Sequence, residues 1–336
     1  MLYLKFIVKI LDGGFLNRKM EGKQKFLVIS EKGLGDALTL LPSLRVLKTM
    51  QPGIEIQMIA PGLKHLEHNL KPLLRFIEHK ELYEKSDQEL HRWLAEQDYT
   101  WVWNTENQHS RWRAILKAAQ NPKWVSATAH KNWPRKDVLL IRHQQLKILF
   151  PELSVPPEPL LPLLPEQLQK KHEFKFGFEP SQKLVAIQPG GADPNKVWPA
   201  KSYQKLINML VSEPNIVVVL FLSPGEKEFF EPGFLPQSEN LVVVSEPLRD
   251  LVPKLAACHL YIGNDSGFYH LAYSLKLSVV GLYSRVKSVK IWSYKTYRAK
   301  AFYKRLPKSM RSKWKTKLDA NYVYSQLKLH TGIFNR

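Results

Sequence analysis

The chain has 336 residues, 50 of them Lys or Arg and 30 Asp or Glu, so its formal net charge is +20, and 44% of it is apolar. Length and apolar share exclude a disordered chain and fit one large or two ordinary domains. The single cysteine, Cys258, excludes an internal disulfide and points to a reducing, cytosolic compartment. No Cys/His group has zinc-ligand spacing, no apolar run approaches the roughly 20 residues of a membrane-spanning helix, and no aromatic-bearing strand or glycine clamp of an RNA-binding module accompanies the charge. We therefore expect no metal, no cofactor and no nucleic-acid partner.

Residues 1–22 form an N-terminal amphipathic segment. Within it, Lys5 and Lys9 stand one helical turn apart in an apolar run from Leu2 to Leu11, as in a helix lying in a membrane interface. The lysines interrupt the apolar core that a signal peptide needs, and Asp12-Gly13-Gly14 ends it. The same residues also read as an ordinary packed helix, or as a leader ahead of a start at Met20.

A first domain is expected over 23–160. Phe26 to Ser30 reads as a strand, Glu31 to Gly35 as a glycine turn, Asp36 to Met50 as a helix and Ile54 to Ile59 as the next strand, one β-α-β unit. Alternation continues through Tyr99 to Trp103, Ser110 to Ala119 and a further apolar run, Val138 to Ile141, which we take as a strand. Six prolines between Pro151 and Pro165, followed by a charged stretch, mark a connection, with the linker placed at 161–180.

The second domain is placed at 181–300. Strands are expected at Leu184 to Gln188, Ile216 to Leu222, Leu241 to Val244, Leu260 to Gly263 and Val279 to Tyr283. Helices fall at Lys201 to Val211, Leu248 to Ala257 and Tyr269 to Leu275. Residues 301–336 are set apart as a basic C-terminal segment with a terminal helix near Lys317 to Leu329. The fold class is α/β, two doubly wound Rossmann-like domains facing a central cleft, where the carboxyl ends of open parallel sheets bind ligands.

Three segments carry chemistry. In Gly33-Leu34-Gly35-Asp36, a carboxylate sits at a strand-to-helix turn, where it serves either as a general base or as a helix cap. In Gln188-Pro189-Gly190-Gly191, followed at Lys196 by a cation, small residues let backbone N–H groups approach an anion. In Gly263-Asn264-Asp265-Ser266-Gly267, small residues open a helix whose N-terminus suits a diphosphate, with His270 one turn inside it, either reaching the cleft or packing beneath it.

In this order, the three segments resemble glycosyltransferase family 9, the lipopolysaccharide heptosyltransferase family, over about Lys25 to Ser284, with Asp265-Ser266-Gly267-x-x-His270 as the signature. The resemblance implies a GT-B fold and an inverting, metal-independent transfer of heptose from ADP-heptose to the lipopolysaccharide core at the cytoplasmic face of the inner membrane. It implies Asp36 as base and Lys196 as the cation on the leaving diphosphate. Gly190, Gly191, Asp265, Ser266, Gly267 and His270 then form the donor grip. Either Glu226 or Glu228 would contact the ribose. Asn107, His109, Arg111 and Arg113 occupy the segment that faces an anionic acceptor in relatives, although Glu31-Lys32 replaces the arginine many relatives carry before the glycine turn.

The basic excess, including Lys287, Lys290, Lys295, Arg298, Lys300, Lys304 and Arg305, suits the anionic inner-membrane surface or a phosphorylated acceptor. Two rival readings are a family 9 transferase with another nucleotide sugar or a protein or capsule acceptor, and a non-catalytic basic scaffold.

Overall fold

The computed structural model describes residues 24–78, 80–105, 111–121, 123–126, 138–154 and 158–334. The amphipathic segment at 1–22, and with it Lys5 and Lys9, lies outside the described residues, as do Asn107 and His109.

Strands β1 (Lys25–Ile29), β2 (Glu55–Ile59), β3 (Arg75–Phe76), β4 (Trp101–Asn104) and β5 (Trp124–Ser126) build a first sheet in the order β3-β2-β1-β4-β5. Every pairing is parallel. β1 is central and buried on both faces from Phe26 to Ile29, which explains an apolar run without alternation. After it come a short helix α1 (Leu34–Leu38) and α2 (Leu41–Met50). The single helix expected over Asp36 to Met50 is split at Thr39-Leu40, where Thr39 Oγ1 donates back to the Asp36 carbonyl and Pro42 starts the second helix. Helices α3 (Lys80–Glu84), α4 (Asp87–Glu96) and α5 (Arg111–Ala118) pack on one face of the sheet, where Leu82, Leu90 and Ile115 are buried with Leu27, Ile29, Ile59 and Val102. The run Val138 to Ile141 is helical, not extended: it opens α6 (Val138–Leu146). Four apolar residues fit a buried helix turn as well as a strand, and here α6 packs on α2, with Ser43 Oγ 3.3 Å from His143 Nδ1.

The first residues of the linker are tied to both domains. Asn69 of the first domain donates to the Pro162 carbonyl and the Gln167 side chain, and Leu161 N–H donates to Ser274 O at 2.8 Å. It contains its own helix, α7 (Pro165–Phe176), with proline in its first turn.

The second sheet has the order β11-β10-β9-β6-β7-β8, again all parallel, from β6 (Lys183–Gln188), β7 (Ile216–Phe221), β8 (Leu241–Val244), β9 (Leu260–Asn264), β10 (Ser278–Leu282) and β11 (Ala299–Phe302). Its longer helices are α8 (Ala200–Val211), α9 (Leu248–Ala257), α10 (Gly267–Ser274), α11 (Val286–Trp292) and α12 (Ala320–His330). The segment set apart at 301–336 belongs to this domain. β11 crosses the expected boundary, and Trp314, Leu318, Val323 and Leu327 are buried in one cluster with Tyr203, Leu206 and Leu210 of α8. Burying each such side chain contributes about 1.5–3 kcal/mol, so the terminal helix is part of the core.

In both sheets the strand order reverses once, between β1 and β4 and between β6 and β9. Ligand crevices open at such reversals, beyond the carboxyl ends of the strands. The loops there carry Glu31 to Asp36 in one domain, and Gly190 to Trp198 with Asp265-Ser266 in the other.

Candidate active site

The two crevices meet where α1 and α10 touch. A Cβ built on Gly35 would stand 2.7 Å from His270 Cδ2 and 3.0 Å from Gly267 Cα, and one on Gly267 would stand 3.0 Å from the Gly35 nitrogen. Only glycine at both positions lets the two turns come this close. The contact brings the first segment against the third.

Asp36 is not the cap of its helix. Gly33 holds that position and Asp36 lies in the first turn. Its Oδ1 accepts from Nη2 of Arg142 at 3.2 Å, with Lys32 Nζ at 4.0 Å. The Asp36 side chain keeps 24% of its exposure, whereas that of Arg142 keeps 7%. A charged oxygen therefore stands at the cleft while its partner is sunk below.

Across the contact, Lys196 Nζ donates to Asp265 Oδ2 at 2.9 Å, and the Asp265 side chain is 5% exposed. Burial pushes the Asp265 carboxyl up from its ordinary range, Lys196 pulls it back, and the charges of Asp36 and Asp193 push it up again. The Gly35–Gly267 approach sets Asp36, the next residue of α1, near enough to the start of α10 for its charge to act on Asp265. Asn264 ties the second segment to the third: its Oδ1 accepts from Trp198 N–H at 2.9 Å, and its Nδ2 donates to the carbonyls of Pro189 and, at 3.1 Å, Gly190. Register supports this, since Gln188 at the end of β6 pairs with Gly263 of β9. A Cβ on Gly191 would touch Ser266 Cβ at 3.9 Å, so the glycine turn lies over the start of α10. Ser266 opens α10 with extended backbone and no side-chain cap, leaving the N-terminal N–H groups toward the crevice.

The two glutamates after β7 are separated by the structure. A Cβ on Gly190 would fall 1.7 Å from Glu226 Oε1, so Glu226 lies directly on the glycine turn, and its Oε2 accepts from Ser223 N–H and Oγ. Glu228 is exposed in the next turn. His270, expected among the phosphate-gripping residues, is 3% exposed. It packs against Gly35, and its Nδ1 is 2.7 Å from the Tyr294 hydroxyl. Burial, with the Lys196 charge added, pushes the imidazole down to about 3, so it is neutral and holds the cleft floor.

Of the residues expected to face an acceptor, Arg111 is occupied: its guanidinium donates to Asp87 and to the carbonyls of Tyr83 and Lys85, fastening α5 to the α3–α4 turn. Arg113 is half-buried on the same helix. Glu31 accepts from Trp112 Nε1 and from the Tyr83 hydroxyl, both at 2.7 Å, so this departure from the family pattern serves as a wall brace. Arg298 leaves the exposed basic set. It is buried, donates to Glu158 and to Leu277 O, and stacks on Tyr273.

Sequence reasoning missed three contributors. Arg142 lies 106 residues from Asp36, Asn264 was read only as part of a motif, and the C-terminal segment braces the Lys196 loop. In that brace, Trp314 Nε1 donates to Asn195 O at 3.2 Å, Lys315 Nζ to Pro194 O at 2.9 Å, and Trp198 Nε1 to Leu318 O at 2.6 Å. Among the described residues, no group of three or more His, Cys, Asp or Glu is arranged to hold a metal ion, and no helix is long and apolar enough to cross a membrane.

Residues 125–319 match the profile of Glycosyltransferase family 9 (heptosyltransferase). The chain resembles the crystal structure of a family 9 glycosyl transferase from Veillonella parvula (TM-score 0.72, 18% identity, 93% of this chain and 98% of that one). It also resembles the ADP-heptose lipopolysaccharide heptosyltransferase II of E. coli (TM-score 0.69, 19% identity, 91% and 98%). A lipopolysaccharide heptosyltransferase 1 of Campylobacter coli is 27% identical over 37% of this chain and 38% of its own length. The two parallel sheets match the GT-B architecture of these structures.

Proposed function

The chain belongs to glycosyltransferase family 9, and from that premise we propose that it is an inverting, metal-independent heptosyltransferase using ADP-heptose as donor and the lipopolysaccharide core, a Kdo or heptose unit, as acceptor. The observation that carries this reading is the opposition of Asp36 to the Lys196–Asp265 pair across the Gly35–Gly267 contact. A base on one domain faces a cation and a helix N-terminus on the other, as a single displacement at the anomeric carbon requires.

In that reaction the acceptor hydroxyl oxygen forms a bond to the anomeric carbon while its proton passes to the Asp36 carboxylate. The bond from that carbon to the diphosphate oxygen breaks, and its electron pair leaves with ADP. Attack opposite the leaving group inverts the configuration. Lys196, turning from Asp265 to the phosphates, and the N–H groups of Ser266 and Gly267 stabilise the charge that develops on the leaving oxygen, which is what a metal would otherwise supply. Glu226, beside Gly190, is the ribose acceptor of choice, with Glu228 further out. Gly190 and Gly191 let the backbone reach the phosphates. Arg113, with Asn107 and His109, remains the proposal for the anionic acceptor, and Arg111 acts there through the wall it holds.

Exposed Lys287, Lys290, Lys295 and Arg305 would draw the protein from the cytoplasm to an anionic inner-membrane surface that carries the acceptor. The intact base and diphosphate grip argue against a non-catalytic scaffold. Incubating the purified protein with Kdo-lipid A, and in parallel with its heptosylated form, and a panel of nucleotide sugars tests the reading: ADP release with ADP-heptose alone, on one of the two acceptors, is expected. Release from a different nucleotide sugar, or from none, would overturn the donor assignment.

A further inference from the structure

One buried cation stands directly behind the Asp36 carboxylate. Arg142 is on α6 and is 6% exposed, beneath the Asp36 carboxylate rather than beside it. Its guanidinium is fully directed. Nη1 donates to the Thr105 carbonyl at 3.1 Å and to Gln145 Oε1 at 3.2 Å, and Nη2 donates to Asp36 Oδ1 at 3.2 Å. Thr105 is itself fixed, its N–H and hydroxyl both donating to Ile29 O at 2.9 Å. One turn of the same helix is pinned to α2 through Ser43 and His143. The chain of contacts thus runs from the carbonyl at the end of β1, through Thr105, to the guanidinium and then to one carboxylate oxygen.

We propose that Arg142 is a positioning residue for Asp36, holding Oδ1 so that Oδ2 is presented to the acceptor hydroxyl. This rests on Asp36 being the base. Among the described residues the bonds recorded to the Asp36 carboxylate go to Oδ1, from Arg142 and from Lys32. Because Nη1 is held by Thr105 and Gln145, the rigid guanidinium fixes the direction from which Nη2 meets Oδ1, which the flexible, rotating ammonium of a lysine would not. Asp36 rides on a helix of only five residues with no side-chain cap, so its own element gives it little rigidity. An outside anchor is what keeps a base aligned within the tolerance that proton transfer demands.

The test is a double-mutant cycle on ADP release from ADP-heptose with Kdo-lipid A, using wild type, Asp36→Asn, Arg142→Gln and the double variant. If Arg142 acts through Asp36, Arg142→Gln lowers kcat by about 10- to 100-fold, with KM for ADP-heptose within about twofold, and the double variant is no slower than Asp36→Asn alone. Arg142→Lys, keeping charge but losing the fork, should recover part of kcat. Two losses that multiply, or a change confined to the KM of Kdo-lipid A, would overturn the proposal and make Arg142 an independent contributor. So would Arg142→Gln at wild-type kcat. Failure of the underlying reading looks different, because Asp36→Asn would then turn over normally. ADP binding monitored by thermal shift establishes that each variant is folded. If Arg142→Gln does not fold, the cycle is completed with Arg142→Lys, and multiplicative losses there count against the proposal equally.

Discussion

The two halves of the cleft are built to different standards. On the second domain, the Lys196 loop is braced from two directions: Asn264 binds Trp198 N–H and the Pro189 and Gly190 carbonyls, and Trp314, Lys315 and the Leu318 carbonyl hold the same loop from the C-terminal segment. On the first domain, Asp36 sits on a five-residue helix, and its recorded partners are one buried arginine and one lysine at 4.0 Å. The acceptor wall beyond it is tied mostly by side chains: Glu31 to Trp112 and Tyr83, Arg111 to Asp87. The nucleotide diphosphate of the proposed donor would reward a rigid grip, whereas a wall made of side-chain contacts, where the acceptor is proposed to bind, is easily altered by substitution. On the proposed reading, the difference predicts that turnover can be lost at the first domain with donor affinity kept, whereas a change at the second domain's grip lowers both.

The sharpest way to break that comparison is at Asp36. Asp36→Asn should lower turnover about 10²-fold or more while calorimetric ADP affinity stays within about twofold; equal losses of both would merge what the account keeps apart. Lys196→Ala should do the reverse in emphasis, weakening ADP by about 10-fold, the equivalent of losing a charge-assisted hydrogen bond of roughly 1.5 kcal/mol, and slowing transfer as well. An unchanged affinity together with an unchanged rate would make Lys196 a plain loop residue.

His270 tests the floor between the halves through pH. Its pKa falls from its ordinary value to about 3 in the folded protein, and the unfolded chain titrates near ~6.5, so its contribution to stability is present above that pH and is lost as the pH falls from there toward 3. By pH 5 this amounts to about 2 kcal/mol, and Asp265, whose carboxyl is raised, acts with the opposite sign over its own range. Urea unfolding of wild type and His270→Phe between pH 8 and 5 should show the flatter profile in the variant; parallel profiles would remove His270 from the acid response.

Trp314→Phe asks whether the C-terminal brace matters to a loop 119 residues away. Loss of one net hydrogen bond, about 1 kcal/mol, should weaken ADP binding several-fold at most without changing KM for the acceptor. A fall in stability without any change in ADP affinity would confine Trp314 to the core. The smallest effect is expected at the surface. Reversing the charges of Lys287 and Lys290 should reduce sedimentation with anionic vesicles at low salt and leave donor turnover intact, each cation contributing about 1 kcal/mol near such a surface. Equal binding to neutral vesicles would remove electrostatics from that role.

The second domain was legible almost element by element because its strands are long apolar runs between glycine, proline or small-residue turns. Leu241–Val244 and Leu248–Ala257 fall where the sequence puts them. The first domain was less so. β3 and β5 are two and three residues long and leave no periodic trace, and Val138 to Ile141 carries no sign that distinguishes a strand from a helix turn. The three chemical segments were visible because a parallel sheet puts its ligand loops at strand ends, where glycines stand out. Arg142 and Trp314 were not, since a buried arginine and a tryptophan in a basic tail have no local signature; only the folded chain brings them to Asp36 and Asn195. The split of the C-terminal segment from the second domain failed for a related reason. Composition reported its lysines, while its few buried residues, Trp314, Leu318, Val323 and Leu327, decide where it packs.

The central claim is a single displacement between a base on one domain and a held diphosphate on the other, and the anomeric configuration of the product tests it most directly. NMR of the transfer product made from ADP-heptose and Kdo-lipid A, in the presence of EDTA, should show the configuration opposite to that of the donor. A product that retains the donor's configuration, or a reaction that stops with EDTA, would contradict the account.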